Sequence, residues 1–377
     1  MEAISVREPT DVANARRRIG ALATRLRYDE TAAGRVAIVV TELAQNLLRH
    51  GGGGEMLAGA DADWAGGIEI TALDRGPGMA NVAACLRDGY STGGTSGTGL
   101  GAVARLARQL LVHSVPKGGT AVLVRMGGDG AADASVPRAT AALCVAKTGE
   151  TVCGDAAAIV VRPDGTANLM LADGLGHGPQ AAAASDEAAR LFRKHAARSD
   201  TLFNVADSRG SSRSDTVFDV TDSRGSSRSD TVFDVADSRG NPRSDTGRPT
   251  AILAALHAGL RATRGAAVAI AAIDPAAREV TYSGIGNIAG FIIDTGGVRR
   301  MVSHSGTAGH TAGRLQDFRY PLHNRPVLVM YSDGLATSWS PEAHSGLFSL
   351  DPLLIAGVLY RDHARGRDDA SVVVWKG

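Results

Sequence analysis

The chain has 377 residues, too many for one ordinary core and enough for two or three domains at about 150 residues each. Its 44% hydrophobic and 21% charged residues suit a soluble globular protein, and 40 Lys and Arg against 39 Asp and Glu exclude a generally basic nucleic-acid binder or an acidic tail protein. Glycine is in excess, at 47 residues with 13 prolines and no Gly-X-Y period, so it is either filler or gathered where backbone approaches a ligand.

In chain order, Val12, Ala15, Ile19, Leu22, Ala23 and Leu26 recur at helical spacing, as do Val36, Val40, Leu43 and Leu47. The runs Gly67–Asp74 and Thr120–Met126 read as strands, with an apolar helix over Ala102–Leu111 between them. Residues 127–140 lack an apolar period and read as a linker between a domain at 1–126 and a second at 141–377. The second is strand-rich, with strands predicted at Ala141–Lys147, Ala157–Arg162, Ala167–Ala172, Ala266–Ile273, Glu279–Ser283, Ile288–Ile293, Pro326–Tyr331 and Ala370–Trp375. Helices are predicted at Gln180–Ala197, Thr250–Thr263 and Asp351–Asp362. A fifteen-residue unit, Ser199–Arg213, recurs at Ser214–Arg228 and Ser229–Arg243, and a further copy stops at Thr246. Each copy has too few apolar side chains to offset the entropy of ordering it, which predicts a disordered or weakly ordered insertion over 199–246. A docking or phosphorylatable Ser/Arg segment is the alternative.

Cys85, Cys144 and Cys153 are an odd number without CxxC spacing, which points away from a disulfide framework or a zinc site and towards a reducing cytoplasm. The start Met1-Glu2-Ala3 lacks a leader pattern, and the apolar stretch Gly265–Ile273 is far shorter than the ~18 residues of a span. The expectation is a cytoplasmic protein with no membrane and no direct nucleic-acid contact.

Glu42 and Asn46 stand four apart on a helix and share a face, which suits a general base beside a Mg²⁺ ligand. A strand delivers Asp74-Arg75-Gly76-Pro77-Gly78, and the glycine-rich Ser91–Gly101 runs into a helix N-terminus, where free N–H groups and the helix dipole favour phosphate. In this order the motifs resemble the GHKL (Bergerat) ATP-binding fold, and within it the RsbT-like anti-sigma and switch-protein serine kinases. Thr41–Asn46 matches the N box, Asp74–Gly78 the first glycine box and Asp88–Gly101 the ATP lid. The resemblance implies an α/β sandwich binding ATP. In it Asn46 holds Mg²⁺ and Asp74 accepts from the adenine amino group. Gly76 and Gly78 form the turn against the base, and Gly97, Thr98, Gly99 and Gly101 surround the phosphates. Glu42 becomes the base for a substrate Ser or Thr hydroxyl. His50 reads as a helix-end residue rather than a phosphoacceptor.

The second domain carries acids at strand ends or turns: Gly154-Asp155, Asp173-Gly174-Leu175-Gly176-His177, Ser332-Asp333-Gly334 and Arg367-Asp368-Asp369. One Asp-Gly is only a turn signal. Several gathered at one end of a sheet supply the hard oxygen ligands that Mg²⁺ or Mn²⁺ prefers. Two such ions about 3.5–4 Å apart activate a hydroxide for in-line attack on a phosphate ester. Together with Tyr282–Asn287 these segments resemble the PPM-type protein phosphatases of the bacterial SpoIIE-like branch, near the RsbX-like stressosome phosphatases. That resemblance implies a β-sandwich flanked by helices. Asp173 would bridge two ions, with Asp155 and the Gly174 carbonyl at one and Asp333 with Asp368 at the other. Asp369 remains an alternative to Asp368, and His177, where the family varies, is a weaker candidate for a general acid.

The expected fold is α+β in two domains with a low-complexity insertion. The expected function is a partner-switching protein with a serine/threonine kinase-like domain and a metal-dependent phosphoserine/phosphothreonine phosphatase, using ATP, Mg²⁺ and Mn²⁺ on a phosphorylated STAS-domain protein, an anti-sigma antagonist or stressosome component. The alternatives are a nucleotide-sensing or partner-docking first domain and an anti-sigma factor that binds a sigma subunit.

Overall fold

A computed structural model describes residues 1–61, 64, 66–85, 99–127, 138–197, 247–344 and 346–377, with the main chain alone at 205–207. The lid up to Thr98, most of the linker and nearly all of the repeat therefore lie outside the described residues.

The first unit comprises β1 (Glu2–Val6), α1 (Pro9–Arg25), α2 (Glu30–His50), β2 (Gly54–Ala60), β3 (Ile68–Asp74), the single turn α3 (Val82–Cys85), α4 (Gly99–Leu106), β4 (Gln109–Ser114) and β5 (Thr120–Met126). Its strands form an antiparallel sheet in the order β1-β2-β3-β5-β4. Local chemistry starts both long helices. Pro9 opens α1 behind a Glu8/Asp11 capping box, and Asp29 caps α2 by accepting from Ala32 N at 2.7 Å. Ile19 and Leu22 of α1 and Val36, Val40, Leu43 and Leu47 of α2 pack with Ile4, Met56, Ile70 and Val124 on one face of the sheet.

The helix expected over Ala102–Leu111 is shorter than the sequence suggests. It ends at Leu106, and Gln109–Ser114 becomes β4, pairing Leu110 with Val124 and Val112 with Val122. As a strand, this segment covers the otherwise bare edge of β5 and keeps Leu110 and Val112 against the same core. Strands β1 and β2 were not among the expected elements.

The second unit runs through β6 (Thr140–Val145), β7 (Asp155–Val161), β8 (Ala167–Gly174), α5 (Pro179–Ala196), β9 (Val205–Asp207), α6 (Pro249–Gly259), β10 (Ala266–Asp274), β11 (Glu279–Ile285) and β12 (Ala289–Asp294). It continues with β13 (Gly297–Arg300), β14 (Gly306–Thr307), β15 (Thr311–Ala312), β16 (Phe318–Pro321), β17 (Val327–Tyr331), α7 (Pro352–His363) and β18 (Ala370–Lys376). Two sheets stack, β16-β11-β10-β8-β7-β9 and β13-β12-β17-β18-β6, with β14 and β15 as a separate hairpin. Leu169, Leu171, Ala271 and Tyr282 of one sheet meet Ile292, Leu328, Met330 and Val373 of the other. Helices α5 and α6 cover the outer face of the six-stranded sheet through Phe192, Ile252, Leu253 and Leu256. Strand β9 lies within the first repeat copy and pairs with the edge of β7.

Helix α7 joins the units. It is apolar on nearly every side, Pro352 to Leu359 are all buried, and a helix of that pattern needs cover all round. One side meets Val329, Val372 and Val374 of the five-stranded sheet; the other meets Leu57, Leu73, Ala121 and Leu123 of the first unit's sheet. Gly357 admits the close approach, since a Cβ there would lie 3.3 Å from Thr71 Cγ2. The described residues therefore stack in six layers, helix, sheet, helix, sheet, sheet, helix, and the α+β class expected from the sequence is the one observed.

Candidate functional site

The first unit's candidates meet where α2, β3 and α4 end or begin. Glu42 and Asn46 lie on one face of α2, both half-buried. A Cβ built on Gly99 would come within 3.9 Å of Asn46 Oδ1, so α4 starts opposite Asn46; Gly101 is buried within α4. Asp74 closes β3, and its Oδ1 accepts from Gly76 N at 2.8 Å and Thr120 N at 3.1 Å. Gly76 rests on the end of α2, where any side chain would lie 2.7 Å from the His50 carbonyl oxygen. Gly78 has φ +69°, and a Cβ there would lie 2.1 Å from the Val115 oxygen, so only glycine fits this turn. His50 is exposed at the helix end. Gly97 and Thr98 fall outside the described residues.

In the second unit, the acids gather at one end of the sandwich. Asp155 and Asp173 are directly opposed across β7 and β8, which places both side chains on one face. Gly174 follows on β8, where a Cβ would lie 2.2 Å from the Ala181 oxygen. Asp333 leaves β17 and Asp368 precedes β18, neighbouring strands of the other sheet. Burial, aided by Asp369 and Asp368, raises Asp155 to about 7 although the Ser332 and Ser371 hydroxyls favour its charged form. Burial and then the charges of Asp155, Asp333 and Asp368 push Asp173 up to about 9. Asp333 is raised as well, by burial and by Asp368. Like charges held this close in a half-buried cup call for a cation, and the all-oxygen donor set suits a hard divalent ion. Among the described residues no three His, Cys, Asp or Glu side chains stand together closely enough to hold a metal ion as placed, and Asp333 takes a hydrogen bond from Asn287 Nδ2 at 2.6 Å.

Asp369 lies deeper than Asp368, on the Asp155 side of that group. It is buried, its Oδ1 accepts from Lys147 N at 2.9 Å, and its Oδ2 lies where a Cβ on Gly154 would come within 2.6 Å. His177 is half exposed and its Nδ1 lies 2.9 Å from Glu150 Oε1, outside the carboxylate group. Sequence reasoning missed Ser332 and Ser371 beside Asp155 and Asn287 as the donor to Asp333. The signal lay in polar residues one or two places from each acid, or at a strand end facing one.

Residues 163–375 match the family described as Stage II sporulation protein E (SpoIIE), and residues 6–126 match the histidine kinase-like ATPase domain. The first match takes in more than half of the chain, and the chain belongs to the SpoIIE family. It starts after Asp155 and includes the other acids. The serine/threonine-protein kinase RsbT of Bacillus subtilis (strain 168) is 35% identical over 89 residues, covering 23% of this chain and 67% of RsbT. An RsbT-like ATPase domain and a SpoIIE phosphatase-family domain thus share one chain, which is a partner-switching architecture. Among solved structures, RsbX in complex with magnesium is 17% identical with a TM-score of 0.44, over 63% of this chain and 94% of that one. The RsbU and RsbW domains of a Mycobacterium tuberculosis protein are 15% identical with a TM-score of 0.41, over 64% of this chain and 62% of that one. No helix among the described residues is long and apolar enough to cross a membrane.

Proposed function

We propose that residues 141–377 form a Mg²⁺- or Mn²⁺-dependent phosphoserine/phosphothreonine protein phosphatase, and that residues 1–126 form an ATP-dependent serine/threonine kinase domain. The substrate of both is a STAS-type partner protein, in keeping with the likeness to RsbT. The observation that carries the phosphatase reading is the meeting of Asp155, Asp173, Asp333 and Asp368 at one end of the sandwich, with burial and mutual repulsion raising three of them. Bound divalent ions would supply Lewis-acid activation of water and neutralise the phosphoryl oxygens.

The chain's own residues prepare that site. Asp173 would serve between Asp155 on one side and Asp333 with Asp368 on the other, and the Gly174 carbonyl would complete the set. Asn287 orients Asp333, while Ser332 and Ser371 favour the charged form of Asp155. In the first domain Asn46 would hold Mg²⁺, Asp74 would accept from adenine, and Gly76, Gly78, Gly99 and Gly101 would line the nucleotide. Glu42 takes the proton of the incoming hydroxyl as its oxygen bonds to the γ-phosphorus and ADP leaves.

Two measurements test these halves. In Mn²⁺, Asp173→Asn is expected to slow aryl phosphate hydrolysis by orders of magnitude; a wild-type rate overturns the metal assignment. With labelled ATP and a STAS partner, Glu42→Gln is expected to abolish label transfer while nucleotide still binds. Transfer at the wild-type rate removes Glu42 as the base.

A further inference from the structure

Three donors hold Asp74. Gly76 N and Thr120 N bind its carboxylate, both at Oδ1, and the third, Arg361 Nη1, reaches its main-chain oxygen at 3.1 Å from α7 of the second unit. Arg361 is only 8% exposed. Its Nε and Nη2 are clamped by the Asp362 carboxylate at 2.7 and 3.0 Å, which fixes the plane of the guanidinium and aims Nη1. Gly119, at φ +77°, clears the path: a Cβ there would lie 2.1 Å from the Asp74 oxygen and 3.0 Å from Arg361 Nη1. The end of α7 is in turn fastened to the loop that carries Asp333. Arg365 N donates to Gly334 O and Ala336 N to His363 O, each at 2.9 Å.

We propose that Arg361 is a positioning residue of the nucleotide site, contributed by the phosphatase domain: it holds the main chain of Asp74, so that the second domain sets the base selectivity of the first. The inference rests on the reading of residues 1–126 as an ATP site with Asp74 facing the adenine amino group. With Oδ1 already engaged by Gly76 N and Thr120 N, Oδ2 is the atom left for that amino group. A hydrogen bond to it depends on where the end of β3 sits, and a displacement of a few tenths of an ångström weakens it. Nucleotide contacts made by Asn46 and α4 do not pass through Asp74, so losing Arg361 acts on recognition of the base and spares binding of the phosphates.

The test compares the Kd of ATP with that of purine riboside triphosphate, which lacks the 6-amino group, on the full chain. Wild type is expected to prefer ATP and Asp74→Asn to lose that preference. Arg361→Met is expected to cut the ATP-to-analogue ratio by about tenfold or more, the scale of one charge-assisted hydrogen bond, with the analogue's own Kd little changed. Asp362→Asn, which frees the guanidinium without removing it, is expected to lower the ratio in the same direction by less, and it decides the matter if circular dichroism shows Arg361→Met unfolded. Equal weakening of both nucleotides, or an unchanged ratio in a folded variant while Asp74→Asn still loses it, overturns the positioning role. A wild-type protein with no preference overturns the adenine reading itself and the proposal with it.

Discussion

Asp368 and Asp369 are neighbours in sequence with opposite surroundings. Asp368 is exposed and faces Asp173 and Asp333, whereas Asp369 is buried, accepts from Lys147 N and lies against Gly154. Replacing Asp368 with Asn is therefore expected to remove phosphatase activity and leave the urea midpoint near wild type. Asp369→Ala strands the Lys147 N–H and is expected to cost about 1–3 kcal/mol of stability, with a smaller loss of rate at saturating Mn²⁺. Urea titration and aryl phosphate assays on the two variants separate these roles, and the reverse pattern would exchange them. The acids themselves were legible because each stands beside a glycine or at the head of a strand, where a sequence announces a turn. Ser332, Ser371 and Asn287 were not, because a hydroxyl or amide at a strand end has many uses and only the fold shows which acid it faces.

At the scale of elements, the buried helix α7 is anchored at both ends. Arg361 ties its last turn to Asp74, and at its start Asp351 both caps the helix through Leu353 N and receives Arg125 of β5 at 2.8 and 3.1 Å. Arg125 also donates to Glu69 at 2.7 Å and to Gln109 at 2.5 Å, and Arg138 bridges Glu69 to Asp61. Such a network contributes little net stability when whole and much instability when broken, because the remaining charges stay buried. Arg125→Met is expected to lower the unfolding free energy by about 3–5 kcal/mol, read as a fall in urea midpoint; a change below about 1 kcal/mol would show that water reaches this cluster. The burial of α7 was written in Pro352–Tyr360, which has no polar face, but nothing local says which surfaces enclose it. The helix expected to continue to Leu111 erred for the same reason. Leu110, Leu111 and Val112 suit a helix or a strand, and the vacant edge of β5 decided.

Across the whole molecule, the glycine excess has a partial explanation in the turns at Gly76–Gly78, Gly119 and Gly174, where a side chain would strike main chain or a neighbouring carboxylate. The two-unit α+β plan was legible because helix and strand periods alternate along the chain. The six-layer order was not, since it depends on a helix near one end covering a sheet near the other. That arrangement has a consequence in time. Arg125 and Asp351 are 226 residues apart, which at roughly 5–20 residues per second is some tens of seconds of synthesis. Through that interval Leu57, Leu73 and Leu123 of a sheet already translated await their cover, so the nascent protein has to keep an oily face from other chains until its own α7 emerges.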